Sequence, residues 1–240
     1  NLTNSAKASE RQPAWSPNRK KIAFVKTSKS QKSGQLFILD AKSGKARRLA
    51  TGSGKAAQPA WSSNGRTIAF IRTRGGQQDL VSVPAGGGKV KVVVPTTEDG
   101  PVPANPTWLR SSRIIFDSGS EGSLWIVNAN GSNAHPYPQS KIPYSEPPTV
   151  GFTDPSAARN GSLVAVKSGK LWLLKANGTP VKRLTRGSSG SQLMPSWAPN
   201  SKSVVFVLGK KSIAIADAKT GKVKKIVASA AGAESPAWRP

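Results

Sequence analysis

Short apolar runs recur along the whole chain at strand length, never at helix length. "KIAFV", "TIAFI", "RIIFD", "SLVAV" and "SVVFV" are each followed, after a polar loop, by a second run: "QLFILD", "DLVSVP", "SLWIVN", "KLWLLK" and "SIAIAD". Runs of this length, bounded by Gly, Pro, Ser and Asn, predict strands. A tight turn closes each pair ("AKSGK", "AGGGK", "NANGS", "KANGT", "AKTGK"). Its Gly supplies the positive φ that a hairpin needs. After the turn comes a basic run, "ARRLA", "VKVVV", "VKRLT" or "VKKIV". Ahead of each pair stands a segment such as "QPAWSPN" or "QPAWSSN". The unit therefore reads as four antiparallel strands, a to d.

The tryptophans Trp15, Trp61, Trp108, Trp197 and Trp238 mark successive strands a. The gap between Trp108 and Trp197 is double, and Phe152, at its middle in "PPTVGFTDP", is taken as the stand-in. By subtraction the spacings are 46, 47, 44, 45 and 41 residues. Four strands in about 40–45 residues is the period of a β-propeller blade. The expectation is an all-β fold, a β-propeller of four-stranded antiparallel blades. It has five complete repeats and a partial sixth, within one domain over residues 1–240.

The pattern "PAWSPN…IAF…LFILDAKSGKARRLAT" resembles the WD-repeat-like units of the TolB family, and the resemblance covers essentially the whole chain. It implies a non-catalytic binding or scaffold propeller of the bacterial periplasm, cell surface or exterior, with a protein or an anionic envelope polymer as partner. There are departures. Asn18, Asn64 and Asn200 replace the Asp of the family's "SPDG" turn, and only Gly65 keeps its Gly. The family's separate N-terminal α/β domain is not visible here. "NLTNS" resembles "RLTRGS", the end of a strand d, and the chain closes on "PAWRP", a sixth strand a. The expectation is that residue 1 falls inside a sixth unit of a longer, six-bladed protein. The alternative is a five-bladed ring with its tails as irregular caps.

Charge changes the picture of partners. There are 36 Lys and Arg against 11 Asp and Glu, a net charge of +25. Turns a–b and c–d of a propeller share one face. That face and the outer strands collect Arg19, Lys20, Lys21, Lys42, Lys45, Arg47, Arg48, Arg66, Lys89, Lys202, Lys222, Lys224 and Lys225 as candidate polyanion contacts. Only Asp40, Asp154 and Asp217 oppose them there. The plain reading is solubility and protection of strand edges. The functional one is an acidic polysaccharide or a nucleic acid, the latter less favoured because stacking aromatics are fixed in the repeat. Tyr137 and Tyr144, in "HPYPQSKIPYSEPP", form the candidate partner loop.

Enzyme and cofactor chemistry finds little support, and no catalytic, metal or cofactor residue is assigned. "GSGKAA" matches a dinucleotide pattern, but a strand and Pro59 follow where a phosphate-binding helix would begin. The single histidine, His135, falls on an outer strand d, and there is no Cys. The close acid pairs are Glu98–Asp99 and Asp117–Glu121, in loops. A lyase, a hydrolase or the gating domain of a peptidase stays as the rival. It would need His, Arg and carboxylates converging in the funnel. The longest apolar run, Val204 to Leu208, is too short to cross a membrane.

Overall fold

A computed structural model describes residues 8–28, 34–49, 51–110, 112–118, 122–137, 151–185, 190–209, 211–228 and 236–238. Its strands fall into five antiparallel sheets, each ordered as in the chain. The first blade is β1 (Ala8–Trp15), β2 (Lys21–Ser28), β3 (Gln35–Asp40) and β4 (Ala46–Arg48). The second is β5 (Lys55–Trp61), β6 (Thr67–Arg74), β7 (Gln77–Pro84) and β8 (Lys91–Val94). The third is β9 (Pro103–Leu109), β10 (Arg113–Ser118), β11 (Ser123–Asn128) and β12 (His135–Pro136). The fourth is β13 (Phe152–Ala157), β14 (Leu163–Lys167), β15 (Lys170–Leu174) and β16 (Pro180–Arg183). The fifth is β17 (Gln192–Trp197), β18 (Ser203–Leu208), β19 (Ser212–Asp217) and β20 (Val223–Ala228). The "GSGKAA" stretch runs into β5, not into a helix.

The first strands pack on one another around the axis: β1 on β5, β5 on β9, β9 on β13 and β13 on β17. Each carries a bulge. The register slips between Arg11 and Ala14, Ala57 and Ala60, Thr153 and Ser156, and Leu193 and Ser196. The bulged residues Gln12, Gln58, Asn105, Asp154 and Met194 have φ between 46° and 54°. A Pro follows each of them. Pro has no N–H to lose, so it fits a strand whose ladder is already broken.

Blades are tied together by the tryptophans. The indole N–H of Trp61 donates to the Ala14 carbonyl (2.9 Å), that of Trp108 to Ala60 (3.1 Å), and that of Trp197 to Ser156 (3.1 Å). The fourth blade corrects the alignment by Phe152. Bulge and proline place Ala157, not Phe152, at the tryptophan position. There the Ala157 backbone N–H donates to Thr107 Oγ1 at 3.2 Å, so a side-chain hydroxyl takes up the contact. Phe152 lies five residues earlier, fully buried, with Trp172 edge-on at 6.0 Å and Lys167 Nζ 5.0 Å from its ring centre. Trp125 likewise packs inside its blade, stacked on Phe116 at 6.4 Å.

Candidate functional site

The five bulges and their prolines, with Pro236, line an axial cavity of about 180 Å³. A bulge leaves one backbone N–H without a strand partner, and here the neighbouring blade supplies the acceptor. Gln12 Oε1 accepts from Gln58 N (2.8 Å), and Gln58 Oε1 accepts from Asn105 N (2.9 Å). Asp117 Oδ2 accepts from Asp154 N (2.7 Å), and Asp154 Oδ2 accepts from Met194 N (3.1 Å). Gln58 Nε2 donates to Asn105 Oδ1. The result is a belt of side-chain-to-backbone bonds linking all five blades. Polar groups of this kind stiffen a surface when they are paired, and each of these four oxygens accepts an N–H of the next blade. The residues before the ring prolines, Gln12, Gln58, Asn105, Asp154 and Met194, share no residue type.

Two carboxylates meet in the belt. Asn105 Nδ2 bridges them, 2.8 Å from Asp154 Oδ1 and 3.1 Å from Asp117 Oδ2. Burial pushes the Asp117 carboxyl above its ordinary value, and the Asp154 charge beside it adds to the rise. Burial also raises Asp154. No Lys or Arg makes an ion pair with either among the described residues. Asp154 is thus on the axis beside Asp117 and not on the basic face expected for it. The partner expected for Asp117, Glu121, lies outside the described residues.

The basic end forms because turns a–b and c–d meet. Ala41 N donates to Lys20 O, Ala85 N to Arg66 O and Ala218 N to Lys202 O, at 2.8–2.9 Å. This brings Arg19, Lys20, Lys42 and Lys45 together, Arg66 with Lys89, and Lys202 with Lys222. Each a–b turn is held by its Asn: Lys20 N, Arg66 N and Lys202 N donate to Asn18, Asn64 and Asn200. Asp40 and Asp217 are spent inside the c–d turns. Backbone and hydroxyl donors of Ser43 hold the Asp40 carboxyl below its ordinary value, and those of Thr220 do the same for Asp217. Arg47 is engaged with the Ala85 carbonyl (2.6 Å) and Arg48 with Gln35. Lys21 is half-buried on β2. Lys224 and Lys225 are exposed on β20. Sequence reasoning missed Arg159, whose Nη2 reaches the Pro17 carbonyl of the first blade at 3.1 Å.

The partner-loop expectation is overturned at Tyr137. Its ring is buried between blades and its hydroxyl donates to the Ala176 carbonyl, so it serves the seam. Tyr144 lies outside the described residues. His135 sits on the outer strand β12, as its place in the repeat predicts. Among the described residues no three His, Cys, Asp or Glu side chains gather as a metal site.

Comparison with known proteins agrees with this geometry. The family described as PD40, TolB beta propeller domain, matches residues 1–164. No curated protein matches the sequence. The chain is similar to the crystal structure of TolB from Acinetobacter baumannii, with a TM-score of 0.74 and 21% identity. The match covers 100% of this chain and 59% of that one, so this chain spans a little over half of that protein. A protein assigned as TolB from Agrobacterium tumefaciens is similar over 93% of this chain and 82% of its own, with a TM-score of 0.72 and 15% identity. A chain of a nidogen/laminin complex reaches a TM-score of 0.68 at 12% identity, covering 92% of this chain and 79% of that one. At these identities the structural likeness shows the fold alone.

Proposed function

The chain belongs to the TolB β-propeller domain family, and on that premise we propose that it is a non-catalytic binding scaffold of the bacterial envelope or exterior. Its axial face, lined by the bulge residues, receives a protein partner. The observation that carries this reading is the belt itself. Side chains that could have done chemistry are committed to backbone N–H groups of the next blade, so the axis is a fixed surface. A rigid surface binds without an ordering cost. Met194 adds an exposed apolar side chain to a lining of polar bulge residues and prolines. The two close carboxylates are occupied by N–H donors, which favours a structural role over an acid–base pair.

The experiment compares the intact chain with Met194→Arg and Gln12→Ala for capture of a single partner from a bacterial envelope extract. The expected result is one partner retained by the wild type and lost by Met194→Arg, with melting unchanged. Equal retention by both would remove the axial face as the site.

A second reading rests on the convergence of turns a–b and c–d. It makes the basic end, from Arg19 to Lys222, a contact for an acidic polysaccharide or an anionic envelope polymer. Electrostatic attraction of this kind adds on-rate and weak affinity more than specificity.

A further inference from the structure

The c–d turns of four blades carry an acceptor of their own. Asp40 Oδ1 accepts from Lys42 N at 3.1 Å and Ser43 N at 2.8 Å. Asp217 Oδ1 accepts from Lys219 N at 3.0 Å and Thr220 N at 2.7 Å. In the third and fourth blades Asn130 Oδ1 accepts from Ser132 N at 3.0 Å, and Asn177 Oδ1 from Thr179 N at 3.1 Å. A side-chain oxygen thus takes up main-chain N–H groups in each of these turns.

The turn of the second blade, Pro84–Lys89, has none. Pro84 pairs with Thr67 as Asp40 pairs with Lys21 and Asp217 with Ser203, so a proline stands where those carboxylates stand. Ala85, three glycines and Lys89 follow, and no side-chain oxygen is among them. Gly87 N donates to Pro84 O at 2.9 Å. Gly86 N and Gly88 N have no acceptor among the described residues, and both glycines are exposed. A Cβ added at Gly86 would meet nothing within 4 Å, and one at Gly88 only the Pro84 ring at 3.7 Å. At φ 99° and 131°, Gly87 and Gly88 hold a backbone that side chains disfavour, and glycine lets a ligand come close to the main chain.

Cations stand where the other turns have their acid. Ala85 N donates to Arg66 O at 2.8 Å, which sets the exposed Arg66 beside the turn. Arg47 Nη2 of the first blade donates to Ala85 O at 2.6 Å, and its Nη1 lies 3.9 Å from where a Gly87 Cβ would be. Lys89, also exposed, ends the turn. The fourth and fifth blades repeat this reach: Lys182 Nζ donates to Lys219 O at 2.9 Å, but there the turn contains Asp217. Arg47, Arg66 and Lys89 surround a turn with no carboxylate.

We propose that the Pro84–Lys89 turn, with Arg47, is a subsite for one tetrahedral oxyanion, a phosphate or sulfate ester group of an anionic polymer. The inference rests on the second reading above, in which the basic end receives such a polymer, and it names where one of its groups is held. The oxyanion takes the place of the Asp40 or Asp217 carboxylate. It accepts from Gly86 N, Gly88 N and Arg47 Nη1, and Arg66 and Lys89 add charge. Main-chain N–H groups of a turn make an anion-binding concavity, and hydrogen bonds to an ionised acceptor are the strong ones. A tetrahedral ester offers more free oxygens than a carboxylate to donors arriving from two blades.

The test titrates the intact, isotope-labelled chain with inorganic phosphate, sulfate or acetate at constant ionic strength, followed by NMR, and measures heparin affinity beside it. Phosphate or sulfate should shift the Gly86 and Gly88 amide signals to saturation, and the tighter of the two names the ester. The Ser43 and Thr220 amides, already bonded to Asp40 and Asp217, should stay in place. Pro84→Asp gives this turn the carboxylate of its neighbours and should keep the Tm, since Asp holds that position in two blades. It should abolish the glycine shifts and weaken heparin binding about ten-fold or more, the worth of hydrogen bonds to a charged group. Lys219→Gln removes one unit of charge from the turn of the fifth blade and should cost about two-fold or less, as an exposed charge does. Equal weakening by the two variants overturns the subsite and leaves the basic end a general attractor. Shifts that never saturate, or that persist in Pro84→Asp, overturn it as well. Acetate saturating the same amides as tightly as phosphate and sulfate overturns the tetrahedral class. If phosphate or sulfate saturates the turn but heparin does not bind, the subsite stands and the polymer reading falls.

Discussion

At Asp117 and Asp154 the fold tolerates two carboxyls whose charged forms burial disfavours. Their folded pKa values lie above the ordinary 3.8, so the stability they contribute is fully present below that value. It is lost as pH rises through the raised values. Asp40, Asp79 and Asp217 act in the opposite sense: their pKa values are lowered, and their contribution is lost as pH falls through them. Asp79 is held down, against its own desolvation, by Arg72 at 2.9 Å and the Thr96 N–H. The difference between wild type and Asp117→Asn isolates the axial pair. The wild type should lose Tm relative to Asp117→Asn as pH is raised from 4 towards neutrality, measured by thermal melts across that range. A constant difference between the two curves would show that the pair does not titrate with folding. The a–b turns offer a second residue-scale prediction. Gly65 occupies the left-handed position of its turn at φ 68°, but Arg19 (62°) and Ser201 (56°) hold the same position without that freedom. Ser201→Gly should therefore stabilise by roughly 0.5–1 kcal/mol in denaturant melts, the cost of a left-handed non-glycine residue less the entropy of Gly.

The element that joins blades is strand a, and its energetics are local. Trp108→Phe keeps most of the ring but leaves the Ala60 carbonyl without its donor. A loss of roughly 1–3 kcal/mol in urea unfolding is expected, the range for a hydrogen bond removed from a buried partner. A loss below about 0.5 kcal/mol would mean that the indole serves as bulk alone. Strand order, turns and period were legible in the sequence because apolar runs, Gly turns and "PAW" segments repeat in phase. Phe152 shows where phase failed. The fourth blade replaces its tryptophan with Ala157 and meets Thr107 by a backbone N–H, so the aromatic nearest in spacing was the wrong residue. Tyr137 was misread for a related reason: in a Pro-rich stretch an aromatic looks exposed, whereas its place opposite Leu124 buries it. The axial belt was hidden because its members differ chemically. Gln, Asn and Asp share only an acceptor oxygen at one position, and motif matching does not see that property.

Across the whole molecule the charge is divided by topology. Many of the cations sit on turns and outer strands, among them Arg19, Arg66, Lys89, Lys202, Lys224 and Lys225. Of the acids, Asp117 and Asp154 are drawn to the axis, Asp40 and Asp217 are absorbed by turns, and Asp79 by Arg72. The basic end therefore presents Arg19, Arg66, Lys202 and their neighbours with little internal compensation, so a polyanion should bind there in a salt-dependent way. Heparin is the probe. Between about 0.1 M and 1 M salt the Debye length falls from about 10 Å to about 3 Å, which should release the chain from a heparin column. Replacing Arg19, Arg66 and Lys202 together with Glu inverts three turns on that end. Replacing Lys224 and Lys225 with Glu alters only the outer strand β20. If the turns form the binding surface, the triple variant should elute at clearly lower salt and the double variant near the wild type. If both shift in proportion to their net charge, the attraction belongs to the whole surface and no end of the propeller is selected. If neither shifts, electrostatics does not hold the chain to the column, and the basic end keeps only its part in solubility and in guarding strand edges.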